Sequence, residues 1–412
     1  MKYGLIGEKL GHSYSCDIHS RLGNGDYVLR EVAREDTDSF FRKADFLGIN
    51  VTIPYKETVI PYLSYIAPEA EEIGAVNTVV KKGGRLFGYN TDVYGMEALI
   101  TRADIDLRGR KVAVLGTGGT SKTAAYVSKR LGAREVIRVS RTEKEDAVSY
   151  EELYARHGDI EAVINTTPVG MYPNTDSSPI ELSHFPYLIG VIDAIYNPLR
   201  TRLLLEAEGL GIPAVGGLYM LVAQGVRASE IFFGKTYPDA KTEKIYRELA
   251  RKKENIVLIG MPASGKSTVG KALADTLGLD FADTDEMIRE GAAMDIPEIF
   301  SRLGEAAFRD MESEAVKRAA SMSGTVIATG GGAVLRSENV LTLKENGRLF
   351  FLDRSPELLI PTTDRPLAKD AEAISKRYAE RYPLYCRAAD IKIPADGTVD
   401  EVARLIMEKT DK

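Results

Sequence analysis

Residues 260–268 read Gly-Met-Pro-Ala-Ser-Gly-Lys-Ser-Thr and follow directly on the apolar run Asn255-Ile256-Val257-Leu258-Ile259. A buried strand, a glycine-rich turn and a helix start, in that order, form a phosphate-binding loop. Backbone N–H groups of the turn, Pro262-Ala263-Ser264-Gly265, suit a cradle for phosphate. Lys266 is placed to reach a transferred phosphoryl group, and Ser267, followed by Thr268, to ligate Mg²⁺. The loop opens a nucleotide-dependent kinase or NTPase domain beyond the midpoint of the chain, so the first 250 residues belong to something else.

At 412 residues the chain exceeds one ordinary core, and two or three domains are expected. A net charge of −6 offers no general attraction to nucleic acid or to an anionic membrane, so anion sites must be local. Two cysteines, Cys16 and Cys386, lie far apart in no metal spacing, which argues against a disulfide framework and fits a reducing cytoplasm. The opening Met1-Lys2-Tyr3-Gly4-Leu5-Ile6-Gly7 is too short an apolar stretch for a signal peptide, and no run is long enough to span a bilayer.

Short apolar runs at Tyr3–Ile6, Gly48–Ile53 and Ala75–Val80 predict strands, the last followed by a hairpin signal at Gly83-Gly84. A new α/β unit opens at Arg110–Leu115 and continues through Glu135–Val139, Ala162–Asn165 and Gly190–Ala194, with helical segments between, as in a parallel, doubly wound sheet. We therefore expect an α/β lobe over 1–100 and a Rossmann-like lobe over 101–217. A helix over 218–233 is expected to pack back on the first lobe. The stretch 234–254, rich in Lys and Glu, reads as a charged linker, helical in part around Glu243–Lys253. A phosphate-loop α/β domain with a parallel sheet should occupy 255–412.

The strand Val112–Leu115 runs into Gly116-Thr117-Gly118-Gly119-Thr120, a second nucleotide loop of a different kind, in which glycines allow a backbone to approach a pyrophosphate. Ser121 stands at the third glycine of the usual fingerprint. The next strand ends Val139-Ser140-Arg141-Thr142, with Lys144 close by. A carboxylate there would select the 2′-hydroxyl of NAD, whereas an arginine suits the 2′-phosphate of NADP(H).

The lobe before it carries Gly11-His12-Ser13-Tyr14-Ser15, Asn50-Val51-Thr52-Ile53-Pro54-Tyr55-Lys56, Gly74-Ala75-Val76-Asn77-Thr78 and Gly88-Tyr89-Asn90-Thr91-Asp92, the last placing a carboxylate in a loop. Further on come Asp193-Ala194-Ile195-Tyr196-Asn197-Pro198 and Gly217-Leu218-Tyr219-Met220-Leu221-Val222-Ala223-Gln224. In this order the motifs resemble the shikimate dehydrogenase family across residues 1–235, with Cys16 where that family usually has proline. The resemblance implies that Ser13 and Ser15 hold a substrate carboxylate and that Lys56 and Asp92 form the catalytic pair. It also implies that Thr52, Asn77 and Gln224 bind ring hydroxyls, that Tyr196 lines the site, and that Gly217 adjoins the cofactor. A lysine ammonium beside a carboxylate can supply the proton that a nascent alkoxide needs, so no catalytic zinc is required.

In the last domain Asp283 and Asp285 have the alternate spacing that shares one face of a strand. Phe308-Arg309-x-x-Glu312 and Thr329-Gly330-Gly331-Gly332 follow, an arginine suited to a carboxylate and a turn open to a small ligand. These residues resemble the shikimate kinase family over 255–412. That likeness implies Asp283 at the Mg²⁺ site, Asp285 on the ring hydroxyls as base, and Arg309 and Arg381 on the carboxylate. Gly331 and Gly332 would back the ring, and Arg365, preceded in a short lid by Ile360–Asp364, would be the lid arginine that contacts ATP phosphates. A nucleoside monophosphate kinase is the alternative for this half.

The two resemblances reinforce each other, because the product implied for the first is the substrate implied for the second. They imply NADPH-dependent reduction of 3-dehydroshikimate to shikimate, then MgATP-dependent phosphorylation of shikimate. A quinate-using dehydrogenase in the first half, and a metabolite-sensing regulatory protein that keeps the folds without the chemistry, stand as alternatives. Nothing in the sequence points to a nucleic-acid partner or fixes an oligomeric state.

Overall fold

The computed structural model describes residues 1–11, 13–359 and 371–410, and the chain divides into two compact units, Met1–Leu249 and Ala250–Lys412. The first unit holds two sheets. Strands β1 (Tyr3–Gly7), β2 (Tyr27–Glu31), β3 (Gly48–Val51), β4 (Tyr65–Ile66), β5 (Thr78–Lys82) and β6 (Arg85–Tyr89) are ordered β2-β1-β3-β5-β6-β4. β1 runs parallel to β2 and β3, while β5 runs antiparallel to β3 and β6. Gly83 and Gly84, at φ 56° and 77°, close a two-residue hairpin that sets β6 antiparallel to β5.

Strands β7 (Lys111–Leu115), β8 (Glu135–Val139), β9 (Ala162–Asn165), β10 (Gly190–Asp193) and β11 (Ala214–Gly216) form an all-parallel sheet ordered β11-β10-β9-β7-β8. The strand order reverses beside β7, and ligands of open α/β sheets bind in such a crevice at the carboxyl ends of the strands. The glycine loop leaves β7 there. An ideal β-carbon on Gly116 would lie 2.8 Å from the Thr166 hydroxyl, just past β9.

Each sheet has its own core, Ile6, Ile49, Val51, Val79 and Leu86 in the first. Met96, Leu99 and Ile100 of the helix Thr91–Arg102 pack with Val112, Val114, Ala124 and Met220. The helix Leu218–Phe233 crosses that helix closely at Gly95, where an added β-carbon would meet the Met220 carbonyl at 2.6 Å. Its far end lies on the first sheet: Phe232 fills the space left by Gly48, and the Tyr3 ring stands 5.5 and 4.9 Å from Phe232 and Phe233.

The charged stretch that reads as a linker is largely a helix, Asp239–Lys253. Ile245 and Leu249, one turn apart, are fully buried. Its polar face is tied down as well, Glu243 to Arg102 at 2.9 Å and Glu248 to Arg21 at 2.9 Å. An apolar pair at i, i+4 suffices to dock a helix whose remaining face is lysine and glutamate.

The second unit is built on β12 (Asn255–Ile259), β13 (Asp280–Asp283), β14 (Thr325–Ala328), β15 (Gly347–Asp353) and β16 (Ile391–Pro394). All run parallel, in the order β13-β14-β12-β15-β16. β12 is buried along its length, as the apolar run before the phosphate loop requires. Among the described residues of the chain, no helix is long and apolar enough to cross a membrane.

Two placements differ from the sequence reading. Asp285 does not share a strand face with Asp283. β13 stops at Asp283, whose carboxylate accepts the N–H groups of Asp285 and Glu286 and so caps the helix Thr284–Ala292. Asp92 likewise lies in a first helical turn rather than a loop, because the Asn90 side chain caps the helix Thr91–Arg102 by accepting from Asp92 N–H at 3.1 Å.

Candidate active sites

In the first unit a cavity of about 240 Å³ is lined by Ser13, Ser15, Thr52, Lys56, Asn77, Asp92, Tyr196 and Gln224, together with Thr120 and Gly217. Lys56 and Asp92 meet at 2.6 Å, both side chains mostly buried. Ser13 and Ser15 are 3.0 Å apart through their hydroxyls, and Ser15 N–H donates to the Ser13 oxygen. Burial, and secondarily the nearby Tyr14, pushes the Tyr196 hydroxyl above its ordinary value, so that phenol stays protonated at the cavity wall.

A buried polar web fixes the cavity's back. Asn77 Oδ1 accepts from Thr91 N–H at 2.7 Å and from the Thr78 hydroxyl at 3.0 Å, leaving its amide nitrogen to donate. Gln224 donates to Leu221 O at 2.8 Å. Asn50 donates to the Thr78 hydroxyl and accepts from Tyr27 at 2.7 Å, and the Tyr27 ring stacks on His19 at 3.8 Å. Burial holds the His19 imidazole down at about 4, so it is neutral there. Sequence reasoning missed Asn50, Tyr27, His19 and Thr91. Asn50 and Thr91 sit inside motifs already singled out, so position within the motif was the available signal.

At the carboxyl end of β7, β-carbons on Gly118 and Gly119 would meet nothing within 4 Å, so the backbone there is open to a ligand. Gly118 precedes the helix Gly119–Arg130, and the Ser121 hydroxyl bonds back to Gly116 O, which explains why serine serves where a glycine was expected. Beyond β8, Arg141, Thr142 and Lys144 are exposed, and Ser140 Oγ accepts from Thr142 N–H at 3.2 Å. These groups fit a pyrophosphate at the helix start and a phosphate at the strand end. Arg138, unnoticed in the sequence, reaches from β8 to Thr117 O and the Ser121 hydroxyl and pairs with Asp146.

In the second unit the phosphate loop takes left-handed backbone at Ala263 (φ 66°) and Gly265 (φ 90°). Lys266 turns back on it, donating to the carbonyls of Gly260 and Met261 at 2.9 and 2.8 Å. Ser264 is buried and Thr268 follows in the helix Lys266–Leu277. The Ser267 hydroxyl donates to Asp283 at 2.5 Å, which brings together one hydroxyl and one carboxylate, an oxygen pair suited to Mg²⁺ that shares its shell with phosphates. No group of three or more His, Cys, Asp or Glu among the described residues could hold a metal on its own.

Around this loop Arg309 donates to Glu312 at 2.8 Å and to Glu305 at 3.0 Å. Burial works against the Arg309 charge, but those two carboxylates outweigh it and hold the guanidinium above its ordinary value. Burial pushes Glu312 up, with Arg309 pulling it back. β-Carbons on Gly332 and Gly331 would strike Arg309 and Pro262, and one on Gly330 would stand 2.5 Å from Asp285 Oδ1, so the triple glycine lies against all three. The Gly331 carbonyl accepts from Arg381 at 2.8 Å and from Tyr385 at 2.6 Å. Glu312, 1 % exposed, and Tyr385 were not assigned roles from sequence; the i, i+3 spacing from Arg309 was the signal for the first. Arg365 and Ile360–Asp364 lie outside the described residues.

Fold and sites together define a two-enzyme chain: a nicotinamide-nucleotide dehydrogenase followed by a phosphate-loop kinase. Residues 5–79 match the family model described as shikimate dehydrogenase substrate binding domain, and residues 262–411 match shikimate kinase. The shikimate dehydrogenase (NADP(+)) of Clostridium perfringens (strain SM101 / Type A) is 40% identical over 265 residues, 60% of this chain and 97% of that one. Among solved structures, a chorismate mutase/shikimate 5-dehydrogenase fusion protein from Clostridium acetobutylicum is 34% identical with a TM-score of 0.57, covering 61% of this chain and 97% of that one. Shikimate 5-dehydrogenase from Thermus thermophilus, in complex with NADP(H) and shikimate, is 30% identical with a TM-score of 0.54, covering 60% and 99%. The chain belongs to the shikimate dehydrogenase family and carries a shikimate kinase domain behind it.

Proposed function

We propose that the chain performs two consecutive steps, reducing 3-dehydroshikimate and then phosphorylating the 3-hydroxyl of the shikimate so formed, in the cytoplasm. The observation that carries the first step is the Lys56–Asp92 pair at 2.6 Å inside a cavity walled by hydroxyls and amides. NADPH, held by Gly116, Gly118, Gly119, Thr120 and Gly217 with Ser140, Arg141, Thr142 and Lys144 at its 2′-phosphate, supplies the hydride. Ser13 and Ser15 hold the substrate carboxylate by hydroxyl donation. Thr52, Asn77 and Gln224 orient the ring hydroxyls. Lys56 donates a proton to the carbonyl oxygen as it becomes an alcohol, and Asp92 holds the ammonium in place beforehand.

For the second step, MgATP supplies the phosphoryl group, with Ser267 and Asp283 as the protein's oxygens for the metal and residues 262–268 and Arg365 for the phosphates. Arg309 and Arg381 grip the carboxylate of shikimate, and Gly331 and Gly332 let the ring lie against backbone. Asp285, fixed in the first turn of its helix, takes the proton of the attacking hydroxyl. Glu312 keeps the Arg309 fork aimed.

The test is one incubation of the full chain with 3-dehydroshikimate, NADPH, ATP and Mg²⁺, with products identified by mass. Shikimate 3-phosphate, with one NADPH and one ATP consumed per molecule, is expected. Binding of either substrate without turnover would instead establish the metabolite-sensing alternative, and faster reduction of 3-dehydroquinate would favour the quinate reading.

A further inference from the structure

β15 runs beside β12 with Ile259 opposite Phe351, so the chain leaves β15 level with the start of the phosphate loop. The contact is close: a β-carbon on Gly260 would lie 2.9 Å from Leu352 O. Three residues past Phe351 comes Arg354. Its Nη1 stands 3.8 Å from where a β-carbon on Gly265 would be, against the loop's last turn before Lys266. Its Nε is fully buried and has no hydrogen-bond partner among the described residues.

That is an unusual state for an arginine, whose planar fork has five donors. The neighbouring acids are hydrogen-bonded elsewhere, although the Arg354 charge helps hold the Asp396 carboxyl below its ordinary value. Asp396 accepts from Ser355 N–H at 2.8 Å and from its hydroxyl at 2.6 Å, and Asp353 pairs with Lys392 at 2.7 Å. Lys266, by contrast, satisfies its charge on loop carbonyls. A buried donor left without an acceptor is unfavourable. A structural arginine would have been satisfied by the fold; one whose acceptor arrives with a ligand would look as Arg354 does.

We propose that Arg354 is a nucleotide-contacting residue of the kinase, donating to the polyphosphate of ATP from the side of the phosphate loop opposite the substrate arginines. The inference rests on the kinase reading of this domain. A phosphate oxygen is the acceptor its position calls for, because residues 262–266 place phosphates along the same turn and guanidinium matches phosphate in a two-point contact.

The experiment uses the full chain and titrates MgADP and adenosine separately by calorimetry, with Arg354→Met, which keeps the stem, and Arg354→Lys, which keeps the charge. Thermal unfolding is scanned with and without MgADP. MgADP affinity should fall at least tenfold in Arg354→Met and less in Arg354→Lys, adenosine affinity should stay within twofold, and the KM for ATP should rise in parallel. Without nucleotide, the kinase transition of Arg354→Met should melt at or above the wild-type temperature, because an unpaired buried donor has been removed, while its upward shift on adding MgADP shrinks. A wild-type-like MgADP affinity overturns the proposal. So does an equal loss for adenosine, which would put Arg354 on the base, or a lower melting temperature without nucleotide, which would make its role structural. If the wild-type chain bound no MgADP, the kinase reading itself would fall.

Discussion

Adding one methyl group at Gly332 should disarm the kinase. The backbone there, at φ −105° and ψ −7°, is open to any residue, so Gly332→Ala introduces no backbone strain and acts through sterics alone. Its β-carbon would lie 1.9 Å from Arg309 Nη1, 2.8 Å from Cζ and 3.1 Å from Nη2. Ordinary contact requires more than 3 Å, so the guanidinium must retreat by about 1.5 Å, given carbon contact distances of ~3.5 Å. A shift of that size breaks the 2.8 Å bond to Glu312. Leaving a buried carboxylate without its partner would cost about 3–5 kcal/mol. Glu312 is already pushed toward its neutral form by burial and can take up a proton, which caps the loss. We expect roughly 2–3 kcal/mol, split between the stability of the second unit and the grip on substrate; placed wholly on substrate binding, it is ~30–150-fold in KM. The assay is kinase turnover against shikimate concentration, with ketone reduction by the same sample as a check on the first unit. A KM for shikimate within threefold of wild type, with Arg309 still required, would refute the steric argument.

Lys56→Ala should lower the kcat of ketone reduction by about 10²–10⁴, the usual worth of a positioned proton donor, and leave phosphorylation unchanged; wild-type-like reduction would dismiss the pair. Arg141→Ala should raise the KM for NADPH by roughly 10–100-fold, as loss of a charged hydrogen bond worth about 1.5–3 kcal/mol implies, and spare NADH; equal effects on both cofactors would remove Arg141 from the 2′-phosphate. His19 gives a pH test. Its folded value of about 4 lies below the ~6.5 of an unfolded histidine, so its contribution to stability is full above pH 6.5 and is lost as pH falls toward 4. His19→Phe, which keeps a ring on Tyr27, should therefore gain about 2 kcal/mol on wild type between pH 7 and pH 5 in urea unfolding; parallel pH profiles would contradict a buried neutral imidazole.

The readable parts of this chain are those where one physical demand acts alone. β7, β9, β10 and β12 are fully buried and print as apolar runs, and the loops that follow β7 and β12 need glycine for backbone reasons. β2 was not legible, because beyond Tyr27 its residues are exposed and carry no alternation, nor was the two-residue β4. Asp92 and Asp285 were misplaced because the residues that cap their helices, Asn90 and Asp283, read equally as loop or strand end. The helix Asp239–Lys253 was legible over Glu243–Lys253, but its docking through Ile245 and Leu249 hid behind its charge. Spacing identified which residue types carry the chemistry, but the meeting of Lys56 with Asp92, or of Ser267 with Asp283, is a product of topology that no local pattern encodes.

That same helix bears on how such a chain can be taken apart. Leu249 is the last residue of the first unit and Ala250 the first of the second, so the boundary falls within the helix Asp239–Lys253 and not after it. A gene split upstream of it deprives the dehydrogenase of Ile245, Leu249 and the partners of Arg21 and Arg102. A split downstream deprives the kinase of Lys253, whose carbonyl receives Gly324 N–H. Fission in evolution, or in the laboratory, would have to copy the segment into both descendants rather than divide it.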